Sequence, residues 1–144
     1  MDRSSRKAAL HGVRVVDLGQ LDAGASCAEA LAWLGADVVK VEPPAGVSAR
    51  LATTEKPGID SYDFILLNAN KRSVTCDFES QQGAENLRKL IANADVLVEH
   101  LAPGEIERLG LGYDVLRVLN PRIVYAQIKG FASNGPHAHY LCTD

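Results

Sequence analysis

The sequence has few cysteines, and their spacing predicts neither a metal site nor a disulfide framework. The only three are Cys27, Cys76 and Cys142, which are far apart and form no C-x-x-C pair. Zinc sites normally need closely spaced ligands, and small disulfide-stapled domains normally carry an even number of cysteines. We therefore expect reduced, partly buried thiols and no metal site.

Long hydrophobic runs are also missing. No apolar segment approaches the roughly 20 residues that a transmembrane helix requires. Residues 1–7 are basic but are not followed by the apolar segment of a secretory signal. These absences predict a cytoplasmic protein that does not contact a membrane.

The chain carries no concentrated charge of one sign. Its formal net charge is -3 and its pI is about 5.8, with the basic residues scattered along the sequence. A nucleic-acid-binding surface would need a basic patch or stripe, so we expect no nucleic-acid partner. At 47% hydrophobic and 23% charged residues, the 144-residue chain has the composition of one globular domain.

Short β-branched runs alternate with segments of helical periodicity, which is typical of an α/β protein. The predicted strands are 13–18, 37–42, 73–78, 95–99 and 123–128, and the predicted helices are 26–34, 81–94, 104–109 and 113–119. Residues 44–70 are irregular and predict a long excursion with local helix. Crossover helices must cover the faces of a parallel sheet. The pattern therefore predicts a Rossmann-like, mainly parallel sheet with helices on both faces.

Ligands of such sheets bind beyond the carboxyl ends of the strands, which draws attention to the loop at 19–25 and to Glu42. The loop could present backbone N–H groups to a phosphate, but it lacks the G-x-G-x-x-G pattern of dinucleotide sites. Glu42 has the place of a ribose-binding carboxylate. Without the glycine pattern, NAD binding is disfavoured, and a solvated charge at the strand end is the simpler interpretation of Glu42.

Three cations are candidates for phosphate binding: the adjacent pair Lys71 and Arg72, and Arg108 after a Pro-Gly turn. On spacing alone, exposed charges are the favoured interpretation of these cations, including Arg108. His137 and His139 have no evident third metal ligand and fit a surface loop. Neither a G-x-S-x-G nucleophile motif nor a Walker loop occurs. The residues alone thus predict an α/β domain that binds a phosphorylated ligand.

Several segments, in order, resemble CoA-transferase family III, which contains formyl-CoA transferase, carnitine CoA-transferase, bile-acid CoA-transferase and α-methylacyl-CoA racemase. They are LHGVRVVDL at 10–18, DAG at 22–24, LGADVVKVEPP at 34–44, NKRS at 70–73, ADVLVE at 94–99 and NPRIVY at 120–125. The resemblance extends from about residue 10 to residue 136. The KGF sequence at 129–131 is closer to the formyl-CoA transferase branch than to the racemases.

In this family the amino-terminal, Rossmann-like part holds the CoA nucleotide. By motif, the resemblance places CoA against Gln20, Asp22, Ala23, Cys76, His100, Leu101 and Arg108. Arg108 would bind a phosphate of the 3′,5′-ADP portion, whereas Lys71 and Arg72 could be structural. The resemblance implies CoA thioesters and carboxylic acids as substrates, no prosthetic group, and a homodimer of the full-length protein.

The resemblance also implies covalent catalysis, in which an aspartate attacks an acyl-CoA thioester to give an aspartyl-acyl anhydride. That aspartate belongs to a Leu-Gly-Asp-like segment further along than this chain extends. Asp144 matches a different acidic position, and Thr143 stands where racemases carry a histidine. We thus expect a flexible segment at 1–9 and a CoA-binding domain at 10–144 that is truncated before the catalytic aspartate and inactive alone. A racemase fragment and a stand-alone nucleotide-binding or interaction module are the alternatives.

Overall fold

Strands and helices alternate along the chain, as the apolar pattern predicts. The structure is a computed structural model that describes residues 7–51, 56 and 58–141. The strands are β1 (Arg14–Leu18), β2 (Asp37–Glu42), β3 (Arg72–Thr75), β4 (Val96–Glu99) and β5 (Val124–Gln127). The helices are α1 (Asp22–Trp33), α2 (Tyr62–Leu67), α3 (Gln81–Ala92), α4 (Glu105–Arg108) and α5 (Tyr113–Leu119), with a short 3-10 helix at Ser48–Leu51.

The five strands form one sheet in the order β3-β2-β1-β4-β5, and every neighbouring pair is parallel. Val15 of β1 lies between Val38 of β2 and Val96 of β4. The chain builds outward from β1 to β3 and then returns to place β4 on the other side of β1. The gap between β1 and β4 is therefore the point where the strand order reverses, at which ligands of open α/β sheets bind.

Alternate residues of each strand point to opposite faces of the sheet, and both faces are covered by helices. On one face, Ala28 and Ala32 of α1 pack with Val15. On the other face, Leu87 and Ile91 of α3 pack with Val16, together with α4 and α5. The predicted Rossmann-like sheet with helices on both faces is confirmed.

The first helix begins earlier than the sequence predicts. It starts at Asp22 rather than at residue 26, which leaves only residues 19–21 between β1 and α1. Asp22 lies in the first turn, where a carboxylate interacts favourably with the helix dipole. The alanines that follow are strong helix formers, and this preference outweighs the loop-like appearance of the sequence.

The third strand is shorter than predicted and leaves the sheet before Cys76. It lies at one edge, and its four residues are all exposed. Phe78, which we placed in the strand, turns back into the core beneath α3. The side chain of Ser80 then accepts a hydrogen bond from the Gly83 N–H at 3.1 Å and caps α3. The predicted strand at 73–78 is therefore correct only in its first half.

The irregular stretch after β2 is confirmed as a long excursion that contains the 3-10 helix and α2. No helix in the described part of the chain is long and apolar enough to cross a membrane. The expectations about residues 1–6, Cys142, Thr143 and Asp144 concern positions outside the described residues.

Candidate functional site

A cavity of about 200 Å³ opens at the carboxyl ends of β1 and β4, where the strand order reverses. Its walls come from the turn after β1, the loops after β4 and β5, and residues 140–141. Three of the residues that we predicted to meet CoA line it: Gln20, His100 and Leu101. The sheet topology thus brings together positions that are 80 residues apart in the sequence.

His100 and Leu101 contribute different chemistry to this cavity. Leu101 is buried, and its N–H donates a hydrogen bond to Oε2 of Glu99 at 2.9 Å. The imidazole Nδ1 of His100 is buried and has no hydrogen-bond partner among the described residues. A ligand or water molecule in the cavity could supply that partner.

The turn after β1 is held by a buried network of charges, of which sequence analysis singled out only Lys71. Asp17 accepts a hydrogen bond from the Gly19 N–H at 2.7 Å and one from Nζ of Lys71 at 2.9 Å. Lys71 also donates to the carbonyl of Ala25 at 2.9 Å, and Nζ of Lys40 donates to the carbonyl of Gly19. Hydrogen bonds from these buried side chains therefore hold the N–H and the carbonyl of Gly19 and the first turn of α1 in place.

This network makes Lys71 structural, as the family resemblance allowed, and corrects the exposed charge that spacing alone favoured. Its side chain is only 1% exposed, so Lys71 is neither a surface charge nor free to bind a phosphate. Burial also lowers the pKa of Lys40, although Asp17 partly offsets the effect. Arg72, by contrast, is exposed and forms a bidentate pair with Asp37 at 2.8 and 2.7 Å. Of Lys71 and Arg72, only Arg72 fits the exposed charge that the spacing suggested.

Close backbone packing explains Gly19 in the turn and Gly24 in the first turn of α1. A Cβ atom on Gly24 would lie 2.8 Å from Cβ of His100, and one on Gly19 would lie 2.7 Å from the carbonyl carbon of Gly24. Real Cβ atoms essentially never approach so closely. Gly19 therefore permits the turn to pack against the start of α1, and Gly24 permits α1 to pack against His100 in the loop after β4.

A buried carboxylate places one cation at the cavity wall. Oε2 of Glu99 accepts hydrogen bonds from Nζ of Lys129 and from the Leu101 N–H, both at 2.9 Å. Lys129 also donates to the carbonyl of Leu101 at 2.6 Å and lines the cavity. An ammonium group has three donors, so one remains available to an anionic ligand. The same buried region raises the pKa of Tyr125, through burial first and then the charge of Glu99.

Arg108 and Cys76 lie outside the cavity wall, near the carboxyl end of β3. The guanidinium of Arg108 forms a bidentate pair with the carboxylate of Glu79 at 2.8 and 3.0 Å. The hydrogen bond between them raises the pKa of Arg108 and lowers the pKa of Glu79. Cys76 is half-buried, with its Sγ 3.4 Å from the carbonyl of Gly83. Burial, followed by the charge of Asp77, raises the pKa of this thiol, so it is neutral at physiological pH.

Asp22 and Ala23 are exposed on the first turn of α1, beside the cavity-lining Gln20. Backbone N–H groups in that turn have no intrahelical partner. The seven predicted positions therefore form two groups at the carboxyl ends of the strands. Five lie at the turn and the cavity, and the other two, Cys76 and Arg108, lie towards α3 and α4.

Glu42 differs from both interpretations of its sequence position. It is 3% exposed, and its carboxylate accepts two hydrogen bonds from Arg50, each at 2.8 Å. Burial by itself would raise the pKa of Glu42, but hydrogen bonding to Arg50 and the charge of Arg50 lower it overall. Glu42 is thus neither a solvated charge nor free to bind a ribose.

The histidine pair after β5 contributes to an aromatic cluster. The ring of His137 lies 5.5 Å from that of Phe131 and 4.9 Å from that of Tyr140. No group of three His, Cys, Asp or Glu side chains able to hold a metal ion occurs among the residues that the structure describes.

Comparison with known proteins identifies the family. The model of CoA-transferase family III matches residues 10–144. This chain belongs to CoA-transferase family III. The resemblance that we read from its motifs is therefore confirmed.

Curated relatives of this family III chain include formyl-CoA:oxalate CoA-transferases. The protein from Streptomyces avermitilis is 46% identical over 132 residues, which cover 92% of this chain and 32% of that protein. The protein from Rhodopseudomonas palustris is 44% identical over 130 residues, or 90% of this chain and 30% of that protein. The chain thus spans about a third of the length of these relatives.

Two solved structures share the fold of this chain. A CAIB/BAIF family protein from Brucella suis superposes with a TM-score of 0.87 at 36% identity, covering 94% of this chain and 37% of that one. Rv3272 from Mycobacterium tuberculosis gives a TM-score of 0.85 at 39% identity, covering 95% and 38%. These matches support the fold and the family assignment together.

Proposed function

We propose that this chain is the part of an acyl-CoA:carboxylate CoA-transferase that binds the CoA nucleotide. The observation that carries the proposal is the cavity at the reversal of strand order, which is lined by Gln20, His100 and Leu101 and bordered by the ammonium of Lys129. CoA is a polyanion with an extended thiol arm, and it needs both cations and a groove. Arg108 supplies a second, exposed cation on the same sheet edge.

The buried carboxylates at this edge have supporting roles. Asp17, Glu42 and Glu99 are all buried, and each accepts hydrogen bonds from a lysine or an arginine. A carboxylate that attacks a thioester must reach the substrate. These three carboxylates are therefore not candidates for the nucleophile. Because no residue of this chain matches the family nucleophile by motif, we assign no catalytic residue to it. In the transferase mechanism, an aspartate supplied elsewhere in the whole protein would attack the thioester while this domain holds CoA.

The names of the curated relatives and the Lys129-Gly130-Phe131 sequence favour a transferase over a racemase. Carboxylic acids are accordingly the proposed acceptors, and the acyl group is left open. A homodimer of the full-length protein and a cytoplasmic location remain predictions from the family resemblance and from the sequence.

Binding of CoA to the purified chain, measured by titration calorimetry, tests the proposal. We expect binding that weakens as salt screens the phosphate contacts. Arg108→Ala should weaken it by about 5- to 150-fold, the loss expected when a charge-assisted hydrogen bond to a phosphate is removed. Arg72→Ala is the matched control, since Arg72 is also exposed and paired but lies at the start of β3, near the opposite end of the sheet. The absence of binding by a chain that is folded by circular dichroism would refute the proposal.

A further inference from the structure

The guanidinium proposed to bind a CoA phosphate already holds a carboxylate of the chain. Glu79 lies between β3 and α3, and Arg108 is the last residue of α4. Both Arg108 side-chain amino groups donate to Glu79, at 2.8 and 3.0 Å. This is the fork-to-fork geometry in which an arginine also binds a phosphate, so the same donors cannot serve both partners at once.

The pair is placed where a ligand can break it. The Arg108 side chain is 59% exposed and that of Glu79 is 54% exposed. Exposed ion pairs contribute little to stability, since water solvates both charges well. A dianionic phosphate binds the same donors with more charge than a carboxylate. Replacing Glu79 by a phosphate at Arg108 should therefore cost the folded protein little stability.

We propose that Glu79 is a specificity-determining residue of the CoA site, which occupies Arg108 in the free protein and is displaced by a ligand phosphate. The inference rests on the proposed function. It follows that Glu79 lowers the affinity for every phosphate-bearing ligand and leaves Arg108 unavailable to ligands without a suitably placed phosphate. Selectivity arises because only a phosphate gains from the exchange.

A second carboxylate near Arg108 has a separate structural task. Glu105 also interacts with the charge of Arg108. Its Oε2 accepts a hydrogen bond from the Ala102 N–H at 3.1 Å, just before α4. Glu105 is therefore engaged with the backbone, and Glu79 is the carboxylate whose hydrogen bonds a phosphate would replace.

Titration with CoA and with 3′-dephospho-CoA tests the inference in the parent chain, in Glu79→Gln, in Arg108→Gln and in the double variant. We expect Glu79→Gln to tighten CoA binding by about 2- to 5-fold, the change that corresponds to an exposed ion pair. The gain in affinity should vanish in the Arg108→Gln background, because Glu79 and the phosphate then have no guanidinium to compete for. A gain for CoA alone supports exchange with the 3′-phosphate, and an equal gain for both ligands supports exchange with the diphosphate.

Asp37→Asn provides the matched control. It removes the same charge from a bidentate arginine pair of similar exposure, at the amino end of β2. If Asp37→Asn tightens CoA binding equally, the effect of Glu79→Gln is one of net charge only, and the inference is overturned. Unchanged or weaker binding in Glu79→Gln, while Arg108→Gln loses affinity, would overturn the role of Glu79 but leave the proposed function intact. Failure of the folded parent chain to bind CoA would remove both.

Discussion

Two adjacent basic residues, Lys71 and Arg72, show how strongly the surroundings decide what a charged side chain does. The first is buried against Asp17, and the second is exposed beside Asp37. Breaking a buried pair leaves a charge without water or partner, whereas an exposed charge is simply solvated. The two positions should therefore respond very differently to the same substitution.

We predict that Lys71→Met lowers the free energy of unfolding by about 3 kcal/mol and that Arg72→Met changes it by less than about 1 kcal/mol. Methionine retains much of the apolar stem of both side chains but none of their charge or hydrogen-bond donors, so the two substitutions remove the same kinds of interaction. Urea unfolding of the two variants measures the effect. Equally small losses would mean that Lys40 and the Gly19 N–H satisfy Asp17 without Lys71.

The sequence could not distinguish these two residues. Their letters stand side by side, and the partner that buries Lys71 lies 54 positions earlier in the chain. The same limit applies to Glu42, which was interpreted from its place at a strand end although Arg50 determines its environment. Burial of a charge depends on long-range packing, for which local spacing carries no signal.

At the scale of elements, Arg50 ties the long excursion after β2 back to the sheet. It belongs to the 3-10 helix, pairs with Glu42 at the end of β2, and stacks over the Phe64 ring of α2 at 4.0 Å. Hydrogen bonding to Arg50 lowers the pKa of Glu42 in the folded chain despite burial, which opposes the shift. The attachment of this segment should therefore depend on pH.

We predict that Glu42→Gln lowers the free energy of unfolding by about 2–3 kcal/mol at neutral pH and by much less in acid. The unfolded chain binds a proton at Glu42 at higher pH than the folded chain does. The contribution of Glu42 is thus complete above its ordinary pKa and is lost as the pH falls through its lower, folded pKa. Urea unfolding at about pH 7 and below about pH 4 measures this difference.

Glu85→Gln serves as the control for Glu42→Gln. Glu85 pairs on an exposed face of α3 with Arg88 and Lys89, at 3.5 and 3.7 Å. Its loss should have only a small effect on stability. A cost for Glu42→Gln that stays constant between neutral and acid pH would show that side-chain packing, rather than the ion pair, stabilises this attachment.

Element boundaries were predictable where apolar periodicity was strong. The second strand begins and ends as predicted, and so does α5. The start of α1 and the end of β3 were misplaced because helix preference and core packing of Phe78 outweighed the local pattern. Both errors lie at the carboxyl ends of the strands, next to the candidate site, where turns are shaped by contacts with other loops.

At the scale of the whole molecule, the order of strands and helices was sufficient to predict the architecture. A chain that alternates β and α must cross over the sheet, and this requirement makes the strands parallel and covers both faces. The position of the candidate cavity follows from the same topology. Its internal supports, Asp17 with Lys71 and Glu99 with Lys129, become evident only when the strands are assembled.

The sheet also leaves apolar surface exposed beside its last strand. Helix α1 packs against β1, β2 and β4, and Val124 at the start of β5 remains 60% exposed on the face that α1 covers. Ala126 and Ile128 continue the same apolar side and are only partly buried. Because β5 lies at the edge of the described sheet, this strip borders unpaired backbone groups as well.

We predict that the chain self-associates at micromolar concentration through this strip and that Val124→Lys reduces the association. A charged side chain makes burial of the strip unfavourable, since its ammonium would lose water without gaining a partner. Static light scattering across a concentration series measures the effect. Gln127→Lys is the control, because it adds the same charge to an exposed position of β5 and leaves Val124 intact. If both variants suppress association equally, strand-edge pairing or net charge is the cause, and a compact monomer in the parent chain would refute self-association.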